Sequence, residues 1–324
     1  MPKVLITGIT GFIGSYLAEK LLSEGYEVYG LIRRVASRNM KAIEKISKDI
    51  ILINGDITNY VSIRNALKVA KPDFIVHLAG LTPVRDSFER PFEYEDNNVL
   101  GTMNIAHAML ELPDPQTRRL IAASTAEVYG LQETKPLIEE LPLKPTSPYA
   151  VSKAAADLYL QMMPQTYGLN VTILRPTNTY GRKFDTSFII EYLVTYMLKR
   201  EKVYIGAPDS VRDYMYIDDH VNAYLLAMKK EEAKGQVFNV GTGVGTSNRE
   251  LAEEIANKIG YNKANITFGS YPPGYAFRPL ISDQPYIVLD ATKIKTKLGW
   301  KTTVSLDDGL DKIISYFQSN PVLL

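Results

Sequence analysis

Tyr149 and Lys153 stand four residues apart, directly after Ser147-Pro148, a pairing that signals a helix start. At that spacing two side chains share one helix face. An ammonium beside a phenol favours the phenolate, as does an oxidised nicotinamide, and both bring the tyrosine down from its ordinary pKa of about 10. Such a phenolate accepts the proton of an alcohol while hydride leaves the carbon. With 21 tyrosines in the chain, a Tyr-x-x-x-Lys pair arises easily by chance. Its weight comes from its place downstream of Ser124-Thr125-Ala126-Glu127-Val128-Tyr129-Gly130, which reads as a strand end. Glu127 adds a carboxylate able to move a second proton. The combination implies oxidation and reduction at a sugar hydroxyl, with a further acid–base step.

Hydride needs an acceptor, and the N-terminus supplies a place for one. Gly8-Ile9-Thr10-Gly11-Phe12-Ile13-Gly14 follows a short apolar run and opens a helical pattern. Glycines in that context let the backbone turn tightly and let a diphosphate lie against bare N–H groups at a helix N-terminus. The spacing is GxxGxxG, so its specificity rests on the strand–turn–helix setting. Cofactor contacts are expected at Gly8, Thr10, Gly11, Phe12, Ile13 and Gly14. An acid at the end of the second strand would bind the ribose 2′-hydroxyl of NAD. Here that strand ends in Arg33-Arg34, whose guanidinium forks suit a 2′-phosphate. NADP is therefore the expected cofactor, with NAD the alternative. Asp56 and Ile57, after the third strand, are placed to meet the adenine.

The elements that must position these groups alternate along the first half. Apolar runs at 4–7, 28–32, 50–53, 74–78, 120–123 and 171–174 read as strands separated by helical stretches. They are apolar almost throughout, as in a parallel sheet covered on both faces. The βαβα order implies an α/β, doubly wound parallel (Rossmann) sheet. After Arg175-Pro176 proline and glycine become frequent and the runs shorten. A smaller C-terminal lobe is expected to bind substrate, with helical patterns at 247–259 and 306–317. Residues 216–240 should return to the large unit. The expected division is 1–178 plus about 212–242 for the dinucleotide, and about 179–211 plus 243–324 for the substrate.

A net charge of +1 without charged blocks gives nucleic acid or a membrane surface no bulk attraction. Cysteine is absent, which excludes disulfides and thiolate metal sites and fits a cytoplasmic protein. His77, His107 and His220 lack metal-ligand spacing, so no metal is expected. The N-terminus does not read as a signal peptide, and no apolar run has spanning length.

The glycine loop, the 124–130 strand end, Tyr149/Lys153 and Arg175-Pro176-Thr177-Asn178-Thr179-Tyr180-Gly181 together resemble the extended short-chain dehydrogenase/reductases that modify nucleotide sugars. The likeness continues through Arg212-Asp213-Tyr214 and Asn239-Val240-Gly241 to Leu298-Gly299-Trp300. It implies that Thr125 hydrogen-bonds the sugar C4 oxygen, that Tyr149 is the base, and that Lys153 also holds the nicotinamide ribose. It implies further cofactor contacts at Leu78, Ala79 and Gly80. Substrate contacts would fall at Thr82, Arg85, Asn178, Arg212, Asn239 and Arg278, and Tyr204, Tyr271 and Phe277 are generic stacking candidates. It also implies a homodimer or tetramer built through two helices, 93–111 and Pro148–Tyr167.

Within the family, Thr125-Ala126-Glu127 keeps the second acid of the dehydratase triplet and loses the middle one. The Thr10-Gly11 loop with Arg33-Arg34 most resembles the GDP-mannose 4,6-dehydratases. A C4-epimerase, which Ala126 resembles, and a 4-keto sugar reductase are the competing activities. A non-catalytic dinucleotide sensor would not need the Tyr/Lys pair.

Overall fold

The structure is a computed structural model that describes residues 1–33, 36–272 and 283–323, with the main chain alone at 36–39. Strands are β1 Lys3–Thr7, β2 Glu27–Ile32, β3 Ile51–Asn54, β4 Phe74–His77, β5 Arg119–Ala123, β6 Asn170–Pro176, β7 Asn178–Tyr180, β8 Val203–Ile205, β9 Val211–Tyr216, β10 Val237–Val240, β11 Gly245–Ser247, β12 Ile266–Phe268 and β13 Tyr286–Ile287. Helices are α1 Phe12–Ser23, α2 Tyr60–Ala70, α3 Val84–Ser87, α4 Pro91–Tyr94, α5 Gly101–Leu110, α6 Pro148–Tyr167, α7 Ile189–Leu198, α8 Ile217–Lys229, α9 Asn248–Ile259, α10 Thr292–Leu298 and α11 Leu306–Ser319.

Seven strands form one parallel sheet in the order β10-β6-β5-β4-β1-β2-β3. Alternation along β1 explains its two faces. Val4 and Ile6 pack with Leu17 and Leu21 of α1 and with Val221 and Tyr224 of α8. Leu5 packs on the other side with Ile63 and Leu67 of α2, Ile105 and Met109 of α5, and Leu160 of α6. Both faces of the central strands are buried, so these strands are apolar almost throughout. The sheet order reverses between β1 and β4, where Thr7 pairs with His77. Such a switch point leaves a crevice beyond the strands' carboxyl ends. The return strand read at 237–240 is β10, which pairs with β6 at the sheet edge.

The remaining strands make two small sheets, one of β11, β9, β13 and β7, the other of β12 and β8. Helices α7, α9 and α11 close a separate core around Leu193, Ile255, Leu310 and Phe317. Helix α9 begins with a capping box between Ser247 and Glu250 and ends at Gly260 with φ 65°.

The helix expected over 93–111 is not uniform. A π-helical stretch, Glu95–Leu100, joins α4 to α5. The wider turn brings Asn98 inward, where it is buried. Asn98 accepts from the N–H of Leu81 at 2.9 Å and donates to Leu81 O at 3.1 Å and to Ser152 Oγ at 2.9 Å. The loop after β4 is thereby belted to α6. No helix among the described residues is long and apolar enough to cross a membrane.

Candidate active site

A cavity of about 1190 Å³ runs along the carboxyl ends of the central strands, from Gly8 and Arg33 to Thr125, Tyr149 and Lys153. Helix α1 opens onto it. Gly11 is its N-cap in extended conformation, no side chain caps it, and no acid stands in its first turn. Its terminal N–H groups and positive dipole end therefore face the cavity undiluted. The turn admits nothing larger than glycine at its tightest point: a Cβ on Gly14 would lie 2.2 Å from Gly8 O. Gly8 has φ 76°, and a Cβ there would meet Ala79 N at 2.8 Å. Such a cradle of bare backbone at a helix start fits a dinucleotide pyrophosphate.

The loop after β4 is held to this turn by a chain of hydroxyls. Thr7 Oγ1 accepts from the N–H groups of Leu78 and Ala79 at 3.2 and 3.1 Å, and so its own proton goes to His77 Nδ1 at 2.8 Å. His77 Nε2 then donates to Thr102 Oγ1 at 3.0 Å, and Thr102 donates to Asn98 O at 2.6 Å. This arrangement requires neutral His77, and burial lowers its pKa from 6.5 to about 3. Sequence reading missed both Thr7 and Asn98 because their partners lie far along the chain.

The reacting groups come from two elements. Ser147 caps α6 through the Ala150 N–H at 3.1 Å, with Pro148 in the first turn. That start sets Tyr149 and Lys153 on the inward face. Thr125 caps a short 3₁₀ turn, Ala126–Tyr129, and its Oγ1 accepts from the Glu127 N–H at 3.2 Å. Thr125 hydrogen-bonds Tyr149, and the charge of Glu127 acts on the phenol. Gln284, from the chain just before β13, donates to Glu127 Oε2 at 2.9 Å. Gln284 was not anticipated from the sequence.

The electrostatics of the pair differ from the sequence expectation. Burial pushes the Tyr149 phenol up, the Glu127 carboxylate and Tyr94 push the same way, and only Thr125 opposes them. The Lys153 ammonium donates to the carbonyl of Ala123. Burial brings Lys153 down to about 8, while Asp157 pulls it up. In this arrangement the hydroxyl of Thr125, rather than the ammonium, favours the phenolate.

Other expected residues fall on both sides of the cavity wall. Gly8, Thr10, Gly11, Phe12, Ile13, Gly14, Arg33, Ile57, Leu78, Ala79, Gly80, Thr82, Thr125, Glu127, Tyr149, Lys153 and Asn178 line it. Asp56 does not: its carboxylate closes a local turn on the N–H and hydroxyl of Thr58, both at 2.9 Å. Arg85 lies outside the lining and pairs with Asp86 at 3.0 Å. Arg212 is buried on β9 and donates to its neighbour's carbonyl, Val211 O, at 3.0 Å.

Asn239 lies outside the cavity lining. It is fully buried, its Oδ1 accepts from Tyr129 at 2.6 Å, and its amide donates to Leu137 O at 2.9 Å and Asp290 O at 3.3 Å. Both amide hydrogens are spent on carbonyls, and the side chain fastens the sheet edge. Arg34, Phe277 and Arg278 lie outside the described residues.

Residues the sequence did not flag also reach the cavity. The segment after β7 crosses α1: Tyr16 donates to Gly181 O at 2.9 Å, and the Arg182 guanidinium lies 4.4 Å from the Phe12 ring centre and 3.5 Å from that of Phe188. His220 faces the same space, its Nδ1 on Thr179 Oγ1 at 2.9 Å.

A parallel sheet with a glycine turn at its switch point, and a Tyr/Lys helix beside a Thr strand end, define an extended short-chain dehydrogenase/reductase. The GDP-mannose 4,6-dehydratase family model matches residues 5–313, and the chain belongs to that family. It is similar to the UDP-glucose 4-epimerase of Mycolicibacterium smegmatis, with 32% identity across 98% of this chain and 99% of the relative. It is similar as well to a probable dTDP-glucose 4,6-dehydratase of Sinorhizobium fredii, with 30% identity over 98% of this chain and 93% of the relative. Among solved structures, the dTDP-glucose 4,6-dehydratase DesIV of Streptomyces venezuelae, with NAD bound, superposes with a TM-score of 0.87. That match has 28% identity and covers 98% of each chain. The protein is thus an enzyme of the nucleotide-sugar dehydratase and epimerase group.

Proposed function

We propose that this enzyme is a nucleotide-sugar 4,6-dehydratase, with a GDP-mannose-like sugar favoured as substrate. The carrying observation is Glu127: it lines the cavity beside Thr125 and Tyr149 and is oriented by Gln284. A bound NADP would supply the redox step, taking hydride from C4 and returning it at C6. Tyr149 takes the C4 hydroxyl proton, with Thr125 holding that oxygen. The resulting ketone acidifies C5, and Glu127 removes the C5 proton. Ala126 offers only a methyl group, so protonated Glu127 gives its proton to the departing C6 hydroxyl, and water leaves. The proton stored on Tyr149 then returns to C5 by way of Glu127. The sum is loss of one water with no net oxidation.

NADP is supported by Arg33 and Lys41, which line the cavity at the end of β2. The NAD of the Streptomyces structure supports the alternative. The family's name is what favours a guanosine diphosphate sugar.

C4 epimerisation is the second reading, favoured by Ala126 and by the mycobacterial relative. Incubation with UDP-, GDP-, dTDP- and CDP-sugars, read by mass spectrometry, separates the two. Loss of water supports dehydration; an isomer of unchanged mass replaces it with epimerisation. Glu127→Gln should stop dehydration while C4 oxidation still shows as reduced-cofactor absorbance, and full turnover by that variant removes the carboxylate from the mechanism.

We also propose a homodimer and a cytoplasmic setting. Phe92, Leu100, Val151, Leu158 and Tyr167 are exposed on the 91–110 segment and on α6, which supports pairing of those helices. A monomeric mass in sedimentation would oppose it.

A further inference from the structure

The reacting groups sit on separate elements, Tyr149 and Lys153 on α6, Thr125 and Glu127 beyond β5. Their spacing depends on how α6 is fixed to the sheet. One buried carboxylate performs that fixing from behind the cavity. Asp157, one helical turn after Lys153, accepts from Ser124 Oγ at 2.6 Å, from Arg175 Nε and NH2 at 2.9 and 3.0 Å, and from Gln161 at 2.7 Å. Ser124 immediately precedes Thr125. Arg175, on β6, continues to Tyr129 Oη at 3.0 Å and to Glu139 O at 3.2 Å. Tyr129 ends the 3₁₀ turn that carries Glu127.

We propose that Asp157 is a positioning residue for the oxidation step, joining the Tyr149/Lys153 helix to the Thr125/Glu127 strand end and keeping a negative charge beside Lys153. Its carboxylate and Arg175 are almost wholly buried, at 0% and 3% side-chain exposure. A buried ion pair is seldom a better source of stability than apolar packing of the same volume. What this pair supplies is a fixed node with bonds in four directions, two of them into segments that carry reacting groups. The charge has its own consequence. Burial depresses Lys153, and Asp157 is the group that opposes burial. Tyr149 on its own helix and Glu127 after β5 share the cavity lining with Lys153, neutral His77 lies on β4, and Arg175 on β6 reaches Asp157 from the other side. Lys153 in turn bears on His77.

The inference does not depend on which reaction follows, because dehydration and epimerisation open with the same C4 oxidation. The measurement is therefore single-turnover cofactor reduction, across pH, with whichever nucleotide sugar supports it. Asp157→Asn should slow oxidation about tenfold near pH 8 and move the alkaline limb of the rate about one pH unit toward neutrality, with substrate KM little changed. Arg175→Lys keeps the positive charge beside Asp157 and should leave that limb where it is. The Lys153 titration in resting protein, followed by NMR of 13Cε-labelled lysine, should shift toward neutrality in Asp157→Asn and stay in place in Arg175→Lys. A merely structural role predicts lower melting temperatures in both variants and no shift in either, and that result overturns the proposal. Should either variant fail to fold, Ser124→Ala keeps every charge and cuts only the strap to β5. It should lose about fivefold in oxidation rate, and a wild-type rate overturns the proposal equally.

Discussion

The two ends of the cavity work by opposite means. At the glycine turn the chemistry belongs to the backbone, and side chains are excluded by geometry. A Cβ at Gly14 would fall 2.2 Å from Gly8 O, and the α1 N-terminus has no competing cap. At the other end everything depends on side chains, tuned by burial and by neighbours most of which are distant in the chain. Burial raises Tyr149, Thr125 opposes that, Asp157 sustains the charge on Lys153, and Gln284 orients Glu127. An anion site can be made from seven consecutive residues because N–H groups are always present. A proton-transfer site cannot, because each pKa reflects burial and neighbours that only folding brings together.

Substitutions at the two ends should fail differently. Tyr149→Phe removes a phenol hydroxyl from a packed site, so dinucleotide affinity should persist while turnover falls by about three orders of magnitude. Activity within tenfold of wild type would take the phenolate out of the mechanism. Gly14→Ala should fail the other way: overpacking against Gly8 costs about 3 kcal/mol of stability, and dinucleotide binding measured by fluorescence titration should be lost. Unchanged affinity in a folded Gly14→Ala protein would mean that the turn is not the pyrophosphate cradle.

Acid should distinguish the ends more gently. His77 holds the loop beside the glycine turn, and His220 is among the residues lining the cavity. Burial lowers both to about 3. The unfolded chain therefore takes up protons below pH 6.5 that the folded chain refuses, and stability falls as pH falls from 6.5 toward 3. Each histidine contributes about 1.4 kcal/mol per pH unit in that window. Denaturant midpoints between pH 6.5 and 5 should show this slope, and His77→Gln should reduce it by about half. A flat wild-type profile would mean that these imidazoles are not buried neutral. The smallest effect should come from Arg33→Ala, with about tenfold weaker NADP binding and NAD affinity unchanged. Equal losses would favour NAD as the cofactor.

Legibility in the sequence followed the range of the interactions. Strands β1, β2, β4, β5 and β10 were readable to within a residue or so, because burial on both faces makes them apolar throughout. The start of α6 was readable from Ser147-Pro148, and the extent of α9 from its helical pattern at 247–259. The π-helical stretch before α5 was not, since the contacts it serves are long-range: it carries Asn98 inward to hold Leu81 and Ser152. Asn239 looked like a ligand contact by position, yet the fold saturates it with Tyr129, Leu137 and Asp290. Gln284 and Arg182 carried no local pattern that could have marked them, while Asp157 stands four residues after Lys153 but its burial against Arg175 and Ser124 is not written in that spacing.

What the linear chain settled by itself was the parallel sheet, the glycine turn and the Tyr149/Lys153 pair, all governed by contacts within a few residues or by simple periodicity. The tertiary structure alone decided which way the tyrosine's proton affinity moves, what orients Glu127, and which buried charge stands behind Lys153. Those properties arise from desolvation and from hydrogen bonds between residues as far as 157 positions apart. A pKa belongs to a place in space, and the chain acquires that place only on folding.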